Sequence, residues 1–99
     1  MGQDADQAAS PVRRSVVYTG RVQGVGFRAT VASLARGCPV SGWVRNESNG
    51  DVRAEIQGGR GDVEAFVERT LRETPGRINQ HVVSDEPTQL GEDGFAIRG

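Results

Sequence analysis

Lysine is missing from this chain: all 12 of its basic residues are Arg. That excludes a Walker-A phosphate lysine, a Schiff-base lysine and any other lysine nucleophile. A single cysteine, Cys38, forbids an intrachain disulfide, and together with a single histidine, His81, it cannot build a Cys/His zinc site. Aromatic residues make up 5% of the chain, which argues against a sheet that stacks nucleic-acid bases. No apolar run approaches the roughly 18 residues of a membrane span. No signal-peptide-like apolar segment follows Met1, so the expected location is the cytoplasm, with no membrane partner. An excess of one charge is lacking too. Thirteen acidic and 12 basic residues are interspersed and give a formal net charge of -1, so no electrostatic footprint for nucleic acid is expected.

What remains is a chain of 99 residues, 35% hydrophobic and 25% charged. At roughly 100–200 residues per domain, this makes one small soluble domain with one core. Residues 1–13 are polar and without periodicity and read as a flexible tail, leaving 14–99 as the domain. Ser15–Val22 is rich in β-branched and aromatic residues and reads as a strand. A glycine-containing segment, 23–26, precedes helical spacing of Phe27, Val31, Leu34 and Ala35, which Gly37 and Pro39 end. Ser41–Glu47 reads as a strand. Asn49-Gly50 then suits a tight hairpin turn, because both residues tolerate positive φ. Asp51–Gln57 alternates with Val52, Ala54 and Ile56 on one face, and Gly58-Gly59 is expected to break it. Asp62 can cap a second helix with the stripe Val63, Phe66, Val67 and Leu71. Ile78–Ser84 and Phe95–Arg98 complete the strands.

The order βαββαβ, with a short C-terminal strand, is the ferredoxin-like α+β plan: an antiparallel sheet with two helices on one face. In that plan the first two strands run parallel with the third between them. Their carboxyl ends therefore share one edge of the sheet.

Two segments at that edge carry chemistry. In Gly20–Arg28 the glycines let backbone N–H groups turn inward around an anion, and a helix amino terminus adds more. Arg28, in the first helical turn, has a planar fork that can grip two phosphate oxygens. Taken alone, the spacing fits a plain glycine-containing connection with a solvent-exposed Arg at least as well. Asn46 closes the second segment, Gly42–Asn46, and shares a face with Val44, the side the helices cover. It can orient a water but cannot act as a base, and an Asn at a hairpin shoulder often only satisfies local backbone. Elsewhere, His81 reads as structural, Cys38 as a small filler and Trp43 as core. Glu64, Glu68 and Glu73 read as a solvated helix face, so no metal site is expected.

Together, GRVQGVGFR at 20–28, GWVRN at 42–46, the following Asn49-Gly50 and Val52, and the terminal FAIR at 95–98 resemble the acylphosphatase family. The resemblance covers residues 14–99. It implies a monomeric hydrolase of acyl phosphates, with no metal and no cofactor. It implies that Arg28 binds phosphate, that Asn46 positions the attacking water, and that the amides of Gln23, Gly24, Val25, Gly26, Phe27 and Arg28 form the phosphate cradle. Asn49 stands where many members have Asp, Arg53 where an acidic residue is common, and Gly99 where many end in an aromatic residue. An anion-binding module without catalysis would need the cradle and Arg28 but not Asn46. An RNA-binding sheet using Tyr18 and Trp43 is disfavoured by charge and aromatic content.

Overall fold

The computed structural model describes residues 10–99. Its elements are β1 (Pro11–Arg21), α1 (Phe27–Ala35), β2 (Val40–Asn46), β3 (Val52–Gly59), α2 (Arg60–Glu73), β4 (Arg77–Glu86) and β5 (Phe95–Arg98). The strands form one five-stranded sheet in the order β4-β1-β3-β2-β5. β1 and β2 both pair antiparallel with β3, and β4 pairs antiparallel with β1. This is the ferredoxin-like arrangement, with the crossovers made by the two helices.

The alternation along the strands decides the core. Val16 and Tyr18 of β1, Val44 of β2, and Val52, Ala54 and Ile56 of β3 all bury their side chains with Phe27, Val31 and Ala35 of α1 and Val63, Phe66 and Val67 of α2. The helical residues recur at spacings of three and four, one face of each helix. Tyr18 meets the ring of Phe27 edge-on at 4.9 Å. Its hydroxyl lies 2.6 Å from Thr70 Oγ1, so a buried polar group has a partner. Burial pushes the Tyr18 phenol up to about 12. A residue so enclosed offers no stacking face to a base.

Several boundaries differ from expectation, each for a tertiary reason. β1 starts at Pro11, four residues ahead of Ser15, because Pro11, Val12 and Arg13 pair with Gly59, Gly58 and Gln57. Residues 11–13 are therefore strand rather than tail, while 1–9 lie outside the described residues. The same pairing carries β3 through Gly58 and Gly59. α2 opens at Arg60 with Gly59 as its N-cap; Asp62 sits in the first turn, where its charge suits the helix dipole without capping it. At Asn49-Gly50 only Gly50 has positive φ, so the connection is a longer turn closed by Glu47 and Asp51 rather than a two-residue one.

The sheet is also not wholly antiparallel, since β5 pairs parallel with β2. β4 and β5 occupy opposite edges, so residues 87–94 must cross the sheet. They do so over the face that the helices leave open. Arg13 of β1 donates to Glu55 at 2.6 Å and to both oxygens of Glu92 at 2.8 and 3.1 Å. Ser41 Oγ donates to Glu92 at 2.8 Å, and Gln57 exchanges two hydrogen bonds with the backbone of Gln89. Trp43 lies on this open face, not in the helix-covered core. It is buried, with the guanidinium groups of Arg45 and Arg98 each 4.8 Å from its ring centroid.

Candidate active site

The loop from β1 into α1 is shaped by two left-handed glycines, Gly24 (φ 73°) and Gly26 (φ 84°). A Cβ at either would meet nothing within 4 Å, so it is the backbone conformation and not a lack of space that calls for glycine. Gly26 is the N-cap of α1, and no side chain caps this helix. The first helical hydrogen bond runs from Thr30 N–H to the Gly26 carbonyl at 3.1 Å. Ahead of it, the N–H groups of Phe27, Arg28 and Ala29 have no acceptor within the helix. The first turn also carries no acidic residue.

β2 ends at Asn46 beside this loop, because β1 and β2 run in the same direction on either side of β3. A cavity of about 180 Å³ lies between them, lined by Val22, Gly24, Gly26, Phe27, Arg28, Ala29, Asn46 and Ile97. Among the described residues, Arg28 is its one cation and no carboxylate lines it. The structure thus brings Arg28 and Asn46 to one cavity, together with Gly24, Gly26 and Phe27. Gln23 and Val25 are not among its lining residues. Val25 turns toward Gly76, at which a Cβ would lie 2.9 Å from Val25 Cγ2, and the Gln23 side chain reaches the β2–β3 turn.

Asn46 Oδ1 is shielded from solvent and has no hydrogen-bond partner among the described residues. An acceptor kept from both water and protein donors is uncommon and calls for an explanation. Arg28 Nη1 donates to the backbone carbonyl of Arg98 at 3.3 Å, which uses one of the guanidinium's five N–H groups. Ile97 and Arg98 were not expected at the site. Their contribution depends on β5 joining β2 in parallel, so that the ends of β1, β2 and β5 meet. The parallel pairing of these distant segments leaves no local sequence signal.

The remaining chemistry-bearing side chains lie elsewhere. His81 is exposed on β4, lining a groove with Arg14, Glu64 and Glu68. Cys38 is half-buried, with Arg69 Nη1 3.6 Å from its sulfur. A cavity of about 510 Å³ opens at the opposite edge of the sheet, where Cys38, Ser41 and Glu92 contribute. Among the described residues, no helix is long and apolar enough to cross a membrane.

Architecture and cavity define a small ferredoxin-like domain whose cavity, at the edge where its parallel strands end, is lined by Arg28 as its one cation among the described residues. Sequence comparison places it more narrowly. The acylphosphatase family model matches residues 14–97, and the chain belongs to the acylphosphatase family, whose enzymes hydrolyse acyl phosphates. It is 40% identical over 88 residues to an acylphosphatase of Salinibacter ruber, covering 87% of this chain and 92% of that one. With an acylphosphatase of Bifidobacterium longum it shares 49% identity over 63 residues, which is 64% of this chain and 65% of the relative. The crystal structure of acylphosphatase from Bacillus subtilis superposes with a TM-score of 0.83 at 29% identity, over 89% of this chain and 99% of that one.

Proposed function

We propose that this chain hydrolyses the carboxyl–phosphate anhydride of small acyl phosphates, without a metal, using Arg28 and loop amides to hold the phosphoryl group and Asn46 to hold the nucleophilic water. The observation that carries the reading is that Asn46, whose side-chain oxygen has no hydrogen-bond partner among the described residues, lines the cavity that Arg28 also lines.

The reaction asks for little covalent help. The leaving group is already a carboxylate, so no strong general acid is needed. The transferred group is a dianion whose charge spreads over three equatorial oxygens in the transition state, and fixed donors aimed at those oxygens provide the main stabilisation. The amides of Gln23, Gly24, Val25, Gly26, Phe27 and Arg28, with the Arg28 fork, are the proposed donors. The Asn46 amide hydrogen-bonds a water and orients its oxygen toward phosphorus, in line with the bond to the acyl oxygen. As that oxygen bonds to phosphorus, the acyl C–O–P link breaks on the phosphorus side and the carboxylate departs. The water's proton passes to a phosphoryl oxygen, since an Asn amide is no base at neutral pH. The proposed state is a monomer and the proposed compartment is the cytoplasm.

The test is steady-state hydrolysis of benzoyl phosphate in the presence of a chelator. The expected result is turnover unchanged by the chelator and competitively inhibited by inorganic phosphate. Loss of turnover in chelator, with recovery on adding a divalent cation, would overturn the metal-free reading. Phosphate binding without turnover would make the domain an anion-binding module.

A further inference from the structure

The side chain of Gln23 is poised for a task that neither the cavity nor the fold requires of it. Its amide nitrogen Nε2 donates two hydrogen bonds, both 2.8 Å, to the backbone carbonyls of Glu47 and Asp51. Those residues flank the cross-strand pair Asn46↔Val52, one immediately after Asn46 and the other immediately before Val52. One terminal NH2 thus spans the base of the β2–β3 turn from a different part of the chain, the loop that leads within five positions to Arg28.

The turn does not need this amide to close. Glu47 N–H donates to the Asp51 carbonyl at 2.8 Å, and Gly50 N–H donates to the Glu47 carbonyl at 3.2 Å. Each carbonyl keeps a local donor without Gln23, so removing the side chain strands no buried acceptor. What it removes is the link between two segments, each of which carries half of the proposed machinery. Asn46 does not supply that link itself, because its Oδ1 has no hydrogen-bond partner among the described residues.

We infer that Gln23 is a positioning residue whose side chain clamps the phosphate loop to the β2–β3 turn and so fixes Asn46 relative to Arg28. The inference rests on the functional reading above and deepens it. In-line attack depends on where the water sits relative to phosphorus, and that distance is set by how the Asn46 strand end stands against the Arg28 loop. A displacement on the order of 1 Å can cost about 10²-fold in rate. The clamp therefore acts on turnover more than on phosphate binding, since cradle amides and Arg28 belong to one continuous segment and move together.

The experiment is a double-mutant cycle on benzoyl phosphate hydrolysis with Gln23→Ala, Asn46→Ala and the double variant. Gln23→Glu keeps the length but removes both donors. Gln23→Asn keeps the amide one methylene short, and serves if the other substitutions impair folding. Each single Gln23 variant is expected to lose about 10- to 100-fold in kcat, with inhibition by inorganic phosphate changed by less than about threefold. In the Asn46→Ala background the further loss is less than about threefold, because the two residues act as a unit. If Asn46→Ala impairs turnover while all Gln23 variants match the wild type, this inference falls and the functional reading stands. If the Gln23 loss is undiminished in the Asn46→Ala background, Gln23 does not act through Asn46. If Asn46→Ala itself retains wild-type turnover, the functional reading fails and the clamp with it.

Discussion

Replacing Arg13 with Met is expected to destabilise the domain severely while leaving the chemistry at the far edge intact. The Arg13 side chain is fully shielded, and its partners Glu55 and Glu92 are only 12% and 14% exposed. Four hydrogen bonds leave its guanidinium: Nε to Glu55 at 2.6 Å, Nη1 to Glu92 at 2.8 Å and to Gln57 at 3.2 Å, and Nη2 to Glu92 at 3.1 Å. Methionine keeps the apolar stem and removes the charge. Breaking a buried pair by deleting one partner costs about 3–5 kcal/mol. The lower part of that range applies here, because Glu55 keeps Arg53 Nη2 at 3.2 Å and Glu92 keeps Ser41 at 2.8 Å. A loss of about 3 kcal/mol is a large share of the roughly 5–15 kcal/mol that holds a domain together. At about 4–8 °C per kcal/mol for a domain of this size, Tm falls by about 12–24 °C. Thermal unfolding followed by circular dichroism measures this, with kcat determined well below the transition as the companion readout. A Tm shift under about 4 °C would refute the assignment of Arg13 as the tie between the crossing segment 87–94 and the sheet.

Arg28→Lys is expected to lose about 10²–10³-fold in kcat/KM, because a single ammonium cannot reproduce a two-pronged grip on the phosphoryl oxygens; near-wild-type kinetics with benzoyl phosphate would contradict the cradle. Glu92 is held below the usual carboxylate range, chiefly by its hydrogen bond from Arg13, against an opposing push from burial. A carboxyl whose folded value is depressed contributes stability that is present above its unfolded value and lost as pH falls through the folded one. Tm is therefore expected to decline as pH drops below about 4.5, the ordinary value, and Glu92→Gln, which has no carboxyl to titrate, to flatten part of that decline. An identical acid dependence in wild type and Glu92→Gln would remove Glu92 from the account.

What could be read from residue order, and what could not, divides along the range of the interactions. The β-branched run after Arg14, the alternation of Val52, Ala54 and Ile56, and the stripe through Val63, Phe66 and Val67 are local patterns, and each lies in the element it foretold. The meeting of Arg28 and Asn46 follows from strand order, because two parallel strands flanking a third must end on one side. Arg13 was illegible: a charged residue after Pro11 reads as tail until its acceptors, 42 and 79 positions away, are known. Trp43 reads as core by type, yet it lies against two arginines on the open face, a placement that depends on β5 arriving beside β2. Asn49-Gly50 marked the turn but not its length, since the closing pair Glu47 and Asp51 gives no turn signal of its own. The Gln23 clamp was hidden for the same reason. Its acceptors are backbone carbonyls, which every residue carries.

The central claim is that one amide, Asn46, places the water that attacks a phosphoryl group held by Arg28 and its loop. Benzoyl phosphate hydrolysis by wild type and Asn46→Ala, compared side by side with phosphate inhibition measured on both, tests it most directly. The account predicts a fall in kcat of about 10²-fold or more with phosphate inhibition nearly unchanged. Equal losses in turnover and in phosphate affinity would make Asn46 a binding or folding residue, and wild-type turnover in the variant would contradict the account outright.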